Sequence, residues 1–175
     1  MKPRSHAARR WKTPASALVL FLVLAAMALG CAGEPPPKPA PADSLTIQEV
    51  LQIPGFSADE LFEGAKIWVA DSFSHSLDVI RYANRREKMV VGKTKMPHFR
   101  DGPFGSTQRL ELRFTVMVET KNERLRYTFT DMRLMAAYGT ETVLETDMET
   151  IRPKLDAAAA ALAASFKRTE EKEDW

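Results

Sequence analysis

Between Arg109 and Glu119 the chain alternates without a break: Leu110, Leu112, Phe114, Val116 and Val118 are apolar, and Arg109, Glu111, Arg113, Thr115, Met117 and Glu119 stand between them. A period of two sends successive side chains to opposite faces of a strand, so this segment reads as a strand with one dry face and one wet face. Such a strand needs neighbours for its backbone groups and a second layer over its apolar side. One neighbour follows at once. Lys121-Asn122-Glu123 reads as a turn, after which Leu125, Tyr127 and Phe129 alternate with Arg126, Thr128 and Thr130. Upstream, Val79 to Ala83 and Met89 to Thr94 are short β-prone runs around the polar turn Asn84-Arg85-Arg86-Glu87, and Lys95 to Ser106 reads as a loop. Ser44 to Gln52 reads as a first strand stopped by Pro54-Gly55.

The covering layer is also legible. Ser57 with Glu60 three residues on has the pattern of a capping box, with Phe56 placed to pack on Leu61 as a hydrophobic staple. The stripe Leu61, Ala65, Trp68, Val69, flanked by Ile67 and Phe73, has helical spacing. A second helix is predicted from Met148, Ile151, Leu155, Ala158, Leu162 and Phe166, with Pro153 expected in its first turn. The order strand, helix, four strands, helix is that of an α+β fold: an antiparallel sheet of about five strands with two helices packed on one face.

These segments bear a resemblance that can be named. The run Pro54-Gly55-Phe56-Ser57-Ala58-Asp59-Glu60-Leu61, then Trp68 and Phe73, then Val79-Ile80-Arg81-Tyr82 and Val90-Val91-Gly92-Lys93, resembles a bacterial envelope family. That family is a domain of unknown function with a TATA-binding-protein-like (TBP-like) fold. The resemblance extends from about Leu45 to Phe166 and implies a fold and a setting, because the family has no established activity. A fold name that mentions a DNA-binding protein does not imply nucleic acid as a partner.

The setting is also written in the first 31 residues. Lys2, Arg4, Arg9, Arg10 and Lys12 precede an apolar run from Ala17 to Leu29, the layout of a secretory signal. The run is short of the roughly 20 residues a spanning helix needs. Ala28-Leu29-Gly30-Cys31 follows, and Cys31 is the only cysteine of the 175 residues. This resembles the cleavage box of bacterial lipoproteins, in which the cysteine is acylated and becomes the first residue of the mature chain. The stretch Glu34-Pro35-Pro36-Pro37-Lys38-Pro39-Ala40-Pro41 then reads as an extended tether. The expected division is a signal at 1–30, a lipidated Cys31 and linker at 31–43, a TBP-like domain at 44–167 and a charged tail at 168–175. Ala32 after the cysteine points to the outer membrane, with the domain in the periplasm.

Chemistry is sparse. A single cysteine excludes an intramolecular disulfide and a cysteine zinc cluster. Asp71, Ser72, Ser74, His75, Ser76 and Asp78 form the one cluster of Ser, His and Asp, but it coincides with a helix end, where such residues are ordinary punctuation. An envelope hydrolase using His75 and nearby carboxylates is therefore the rival reading, and an apolar-ligand carrier using Trp68, Phe114 and Phe129 a second one. His75 and His98 are the imidazoles left in the mature chain and lie far apart in sequence, so no metal or cofactor is expected. Asp101-Gly102-Pro103-Phe104-Gly105-Ser106-Thr107 lacks the Gly-Lys-Ser/Thr end of a phosphate loop; His98, Phe99 and Arg100 are the groups there that could meet a partner.

Charge carries more. The whole chain has 25 Lys plus Arg and 23 Asp plus Glu, but five basic residues and no acidic ones fall in residues 1–30, so the mature chain is mildly acidic. Within it, Asp78 to Arg133 has 13 basic residues against 7 acidic, and the remainder 7 against 16. Alternation places Arg109, Arg113 and Arg126 on the wet face of the sheet, joined by Arg81, with Thr115, Thr128 and Thr130 between them. Such a face suits a protein or an anionic envelope component. Its bland counterpart is a solvated face whose arginines pair with Glu111 and Glu119. The sequence thus predicts a non-enzymatic envelope lipoprotein, held in the bilayer through Cys31 and binding a partner through its basic sheet.

Overall fold

The computed structural model describes residues 36–73, 79–102 and 105–166. The chain divides into two units, Met1–Pro36 and Pro37–Trp175, and the second contains every helix and strand described. A 3-10 turn at Ala42–Leu45 leads into β1 (Ile47–Gln52), α1 (Ala58–Ser72), β2 (Ile80–Asn84), β3 (Met89–Asp101), β4 (Thr107–Lys121), β5 (Arg124–Ala136), β6 (Gly139–Glu141) and α2 (Glu145–Ser165). The strands form one antiparallel sheet in the order β1-β5-β4-β3-β2, with β6 also paired to β5. This is the α+β architecture expected, with the short β6 added.

Alternation sets the two faces. Val90 of β3, Leu110, Leu112, Phe114, Val116 and Val118 of β4, and Leu125, Tyr127 and Phe129 of β5 are buried. Against them lie Leu61, Phe62, Ala65, Trp68 and Val69 of α1 and Met148, Ile151, Leu155, Ala159 and Leu162 of α2. One core therefore sits between the helix layer and one face of the sheet, and the other face is open. Close approach fixes α1: a Cβ at Gly92 would lie 2.9 Å from Val69 Cγ1 and 3.1 Å from Val116 Cγ1, so only glycine lets helix and strand meet there.

The start of α1 follows the capping chemistry. Ser57 Oγ accepts from the Glu60 N–H, and the Glu60 carboxylate accepts from the Ser57 N–H at 2.8 Å. The β4–β5 turn then latches this end, since the Ala58 N–H donates to Asn122 Oδ1 at 2.9 Å and the Thr120 hydroxyl donates to the Ala58 carbonyl at 2.9 Å. Phe56 meets Phe166 edge on, with ring centroids 5.7 Å apart, and so ties the entry of α1 to the far end of α2.

Four expectations are corrected. The segment from Lys95 is not loop: β3 runs on to Asp101 and pairs with β4 throughout, Asp101 opposite Thr107. Pro97 suggests a break, yet β2 pairs with β3 only as far as Gly92. The Lys93 N–H donates to the Val79 carbonyl, so N–H groups at odd positions point away from β4 and the one Pro97 lacks falls on the open edge. Second, α2 starts at Glu145, which leaves Pro153 in the helix interior rather than the first turn. Third, among the described residues five strands rather than four separate the helices, because Gly139–Glu141 returns along β5. Fourth, the chain joins the fold before residue 44: the Ala40 N–H donates to the Val143 carbonyl at 2.8 Å, and the Glu145 N–H donates to the Lys38 carbonyl at 3.0 Å. The prolines at 39 and 41 suit this extended edge pairing as well as they suit a free tether.

Candidate functional site

The open face of the sheet can be read as rows of residues in direct register. One row matters most. Lys95 of β3 stands opposite Arg113 of β4, and Arg113 stands opposite Arg133 of β5. With neighbouring strands about 4.8 Å apart, three cations are spread over roughly 10 Å. The next row has Lys93 opposite Thr115 and Thr115 opposite Thr130. Arg81, Lys93, Lys95, Arg113, Thr115, Asp131 and Arg133 line a depression of about 430 Å³.

Arg133 reaches this face because of a bulge. Leu125, Tyr127 and Phe129 point into the core, and strict alternation would carry Asp131 and Arg133 inward as well. The register between β4 and β5 shifts past Arg113 and Thr115, and Asp131 adopts φ 55, a left-handed conformation that Asp tolerates better than most residues. The extra residue resets the phase: Met132 and Leu134 become core, and Arg133 faces out. Like charges placed directly opposite each other on a sheet oppose folding. A chain that spends a left-handed Asp to set Arg133 beside Arg113 is building positive potential at one place, and the outlier points to use.

Two carboxylates temper it. Glu111 accepts from Lys95 Nζ and from Arg113 Nε, both at 2.8 Å. Those two bonds, Lys95 first, hold the Glu111 carboxyl below its usual range, so it stays charged. Asp131 Oδ2 accepts from the Thr115 hydroxyl at 3.0 Å. Among the described residues five cations line the depression, against the carboxylate of Asp131 in its wall and that of Glu111 beside it, and Lys93 and Arg133 form no ion pair with any described residue.

The four arginines expected to act together do not meet. Arg81 and Arg113 line the depression. Arg109 lies two rows along β4, opposite Phe99. Arg126 lies toward the other end, bound to Glu119 with Nε 2.7 Å from the carboxylate. Their spread follows from rise: four residues along β4 separate Arg109 from Arg113 by roughly 13 Å. Thr115 and Thr128, expected between cations on the wet face, stand on it with little of either side chain exposed, and Thr115 lines the depression. Lys93, Lys95 and Arg133 are the site residues that alternation alone does not deliver. The signal for Arg133 is the phase change of the apolar positions from Phe129 to Met132; that for Lys95 is Met96 and His98 continuing the inward positions of β3.

A second polar constellation lies under the sheet. Asp147, buried in the first turn of α2, accepts from His98 Nε2 at 2.9 Å, from Arg100 Nε at 3.0 Å and Nη2 at 2.6 Å, and from the Leu144 N–H at 2.8 Å. Arg100 Nη2 also donates to the Thr142 carbonyl. A carboxylate can only accept, so His98 donates from Nε2, and its buried Nδ1 has no hydrogen-bond partner among the described residues. Burial acts most strongly on Asp147 and raises its pKa, but the bonds from Arg100, Leu144 and His98 outweigh it and hold the carboxyl below its ordinary value. With every acceptor position of Asp147 taken, this is a clasp between β3 and α2. His98 and Arg100, expected in a loop, thus face inward, while Phe99 between them is exposed.

Ser74, His75, Ser76 and Asp78, expected of a hydrolase, and Cys31, expected to be acylated, lie outside the described residues. Among the described residues no group of His, Cys, Asp and Glu could hold a metal ion. None of the described helices is long and apolar enough to cross a membrane. Trp68 and Phe73, Phe73 and Phe114, and Phe114 and Phe129 meet edge on, with centroids 5.3, 5.7 and 5.8 Å apart, so the aromatics expected of a ligand carrier pack on one another.

Comparison with known proteins agrees with this geometry at the level of fold. Residues 48–134 match the model of a family described as a domain of unknown function (DUF4468) with TBP-like fold. No curated protein matches the chain. Among solved structures, a DUF4468 family protein from Bacteroides ovatus is 14% identical with a TM-score of 0.54, over 77% of this chain and 93% of that one. A TBP-like protein from Parabacteroides distasonis is 9% identical with a TM-score of 0.58, over 71% and 94%.

Proposed function

The chain belongs to the family described as a domain of unknown function (DUF4468) with TBP-like fold, and from that premise we propose a binding role rather than a catalytic one. In this reading the protein is an envelope lipoprotein, acylated at Cys31, tethered to the outer membrane on its periplasmic side, and carrying a domain whose open sheet face holds an anionic component of the envelope. The observation that carries it is the row Lys95, Arg113 and Arg133, three cations in direct register with Lys93 and Arg81 beside them. Exposed ion pairs contribute little to stability, so folding gives small return for such a row. An anion does, because guanidinium and ammonium groups bind phosphate and carboxylate through charge-assisted hydrogen bonds.

The test uses the mature protein and washed envelope fragments from its own cells. Arg113→Glu combined with Arg133→Glu is expected to lower co-sedimentation at least tenfold while the circular dichroism and melting curve stay those of the parent. Ile67→Glu, an exposed position of α1, is the control and leaves binding unchanged. Equal sedimentation of the double variant removes the basic face as the site. Incorporation of labelled acyl chains tests the anchor separately; it is lost in Cys31→Ala, and labelling that survives that change sinks the lipoprotein assignment.

A further inference from the structure

Asp131 limits what kind of anion the depression can take. Its carboxylate stands among Arg81, Lys93, Lys95, Arg113 and Arg133. One oxygen, Oδ2, is engaged by the Thr115 hydroxyl. The other has no hydrogen-bond partner among the described residues, and Asp131, with a left-handed backbone at φ 55, sits at the bulge beside the cation row. A bare phosphate or a carboxylate polymer laid across this surface would meet a fixed negative charge. A hydroxyl reverses the sign of that contact, since an ionised carboxylate is an acceptor with lone pairs to fill. The space fits this: about 430 Å³ lies in the range of small-molecule sites, well beyond what a lone phosphate occupies.

We propose that the depression binds a phosphorylated sugar or polyol, with the phosphate on the row Lys95, Arg113 and Arg133 and ring or chain hydroxyls on Asp131 and Thr115. The proposal rests on the anion-binding reading above and adds the second half of the ligand. Lys93 and Arg81 flank the phosphate side and neutralise a second anionic group where the ligand carries one. Selectivity then comes from one residue: the cations accept any phosphate, and Asp131 prefers those that bring hydroxyl donors and disfavours those that bring only charge.

Isothermal titration of the detergent-solubilised mature protein at low salt, with glucose 1-phosphate, inorganic phosphate and glucose as probes, tests this. Glucose 1-phosphate is expected to bind at least tenfold more tightly than inorganic phosphate, with glucose alone undetected. Asp131→Gly, which keeps the left-handed backbone accessible, is expected to bring the ratio of the two phosphates to within twofold of one, with inorganic phosphate binding as tightly as before or more so. Asp131→Asn, which also tolerates that backbone, lowers the ratio in the same direction and replaces the glycine variant if that one fails to fold. Arg113→Gln with Arg133→Gln loses both ligands. Equal affinity of the two phosphates for the parent, or a ratio untouched by either change at Asp131, overturns the polyol assignment and leaves an anion site. Failure of both phosphates to bind, together with envelope sedimentation insensitive to charge reversal, overturns the underlying reading as well.

Discussion

Asp147 is the residue on which the join between the helix layer and the end of β3 depends. It is buried, and the groups that donate to it come from β3 and from the N-cap of α2. Removing one partner of a buried ion pair typically costs about 3–5 kcal/mol, because the other charge is left uncompensated. Asp147→Ala is expected to lower the urea unfolding free energy by about that much, with Arg100 and His98 losing their acceptor. The pH dependence has a definite sign. The Asp147 carboxyl is held below its ordinary value of 3.8, so its contribution is complete above that value and is lost as pH falls through the lower folded value. In that window the unfolded chain binds more protons than the folded one, and stability falls with acidity. Asp147→Asn should flatten this part of the stability profile; an unchanged slope below the ordinary carboxylate range would show that other groups govern acid unfolding. None of this is legible from sequence spacing, since His98 and Arg100 lie 49 and 47 positions from Asp147 and meet it only through tertiary packing.

At the scale of elements, local signals set α1 and tertiary contacts set the rest. Ser57 and Glu60 mark the start of α1 because the capping box is a local arrangement of four residues. The start of α2 is hidden because Leu144 has no side-chain acceptor; only the reciprocal half is made, by Asp147 accepting from the Leu144 N–H. β4 is legible because no bulge interrupts its alternation before the site, whereas the bulge at Asp131 changes the phase of β5 and hides Arg133. The two helices meet at Gly64, where a Cβ would lie 2.3 Å from Phe166 Cε1. Alanine improves helix propensity by up to about 1 kcal/mol, but here the ring must move against Phe56, and overpacking typically costs about 1–3 kcal/mol. Gly64→Ala is therefore expected to destabilise the domain, and Phe166→Leu in the same chain to recover part of the loss. Additive effects in that double-mutant cycle would mean the two positions do not press on each other.

For the whole molecule, the decisive property is the separation of charge between sheet and helices. The segment Asp78 to Arg133 carries 13 basic residues against 7 acidic, and residues 31–77 and 134–175 together carry 7 against 16. The fold concentrates part of that excess on the open sheet face, as the sequence predicts, but at Lys93, Lys95, Arg113, Arg133 and Arg81 rather than along Arg109, Arg113 and Arg126. A face built this way attracts anions in a manner that salt screens, with a Debye length of about 10 Å at 0.1 M. The most direct test is photo-cross-linking in living cells from a photoreactive residue placed at Thr115, which lines the depression opposite Lys93, with the same residue at Ile67 on α1 as reference. Position 115 is expected to yield an adduct that carries an anionic envelope component, weakens with salt in washed envelopes and disappears with Arg133→Glu. Adducts of the same composition from both positions, or one from 115 that ignores both salt and Arg133, would contradict a binding role for the basic face.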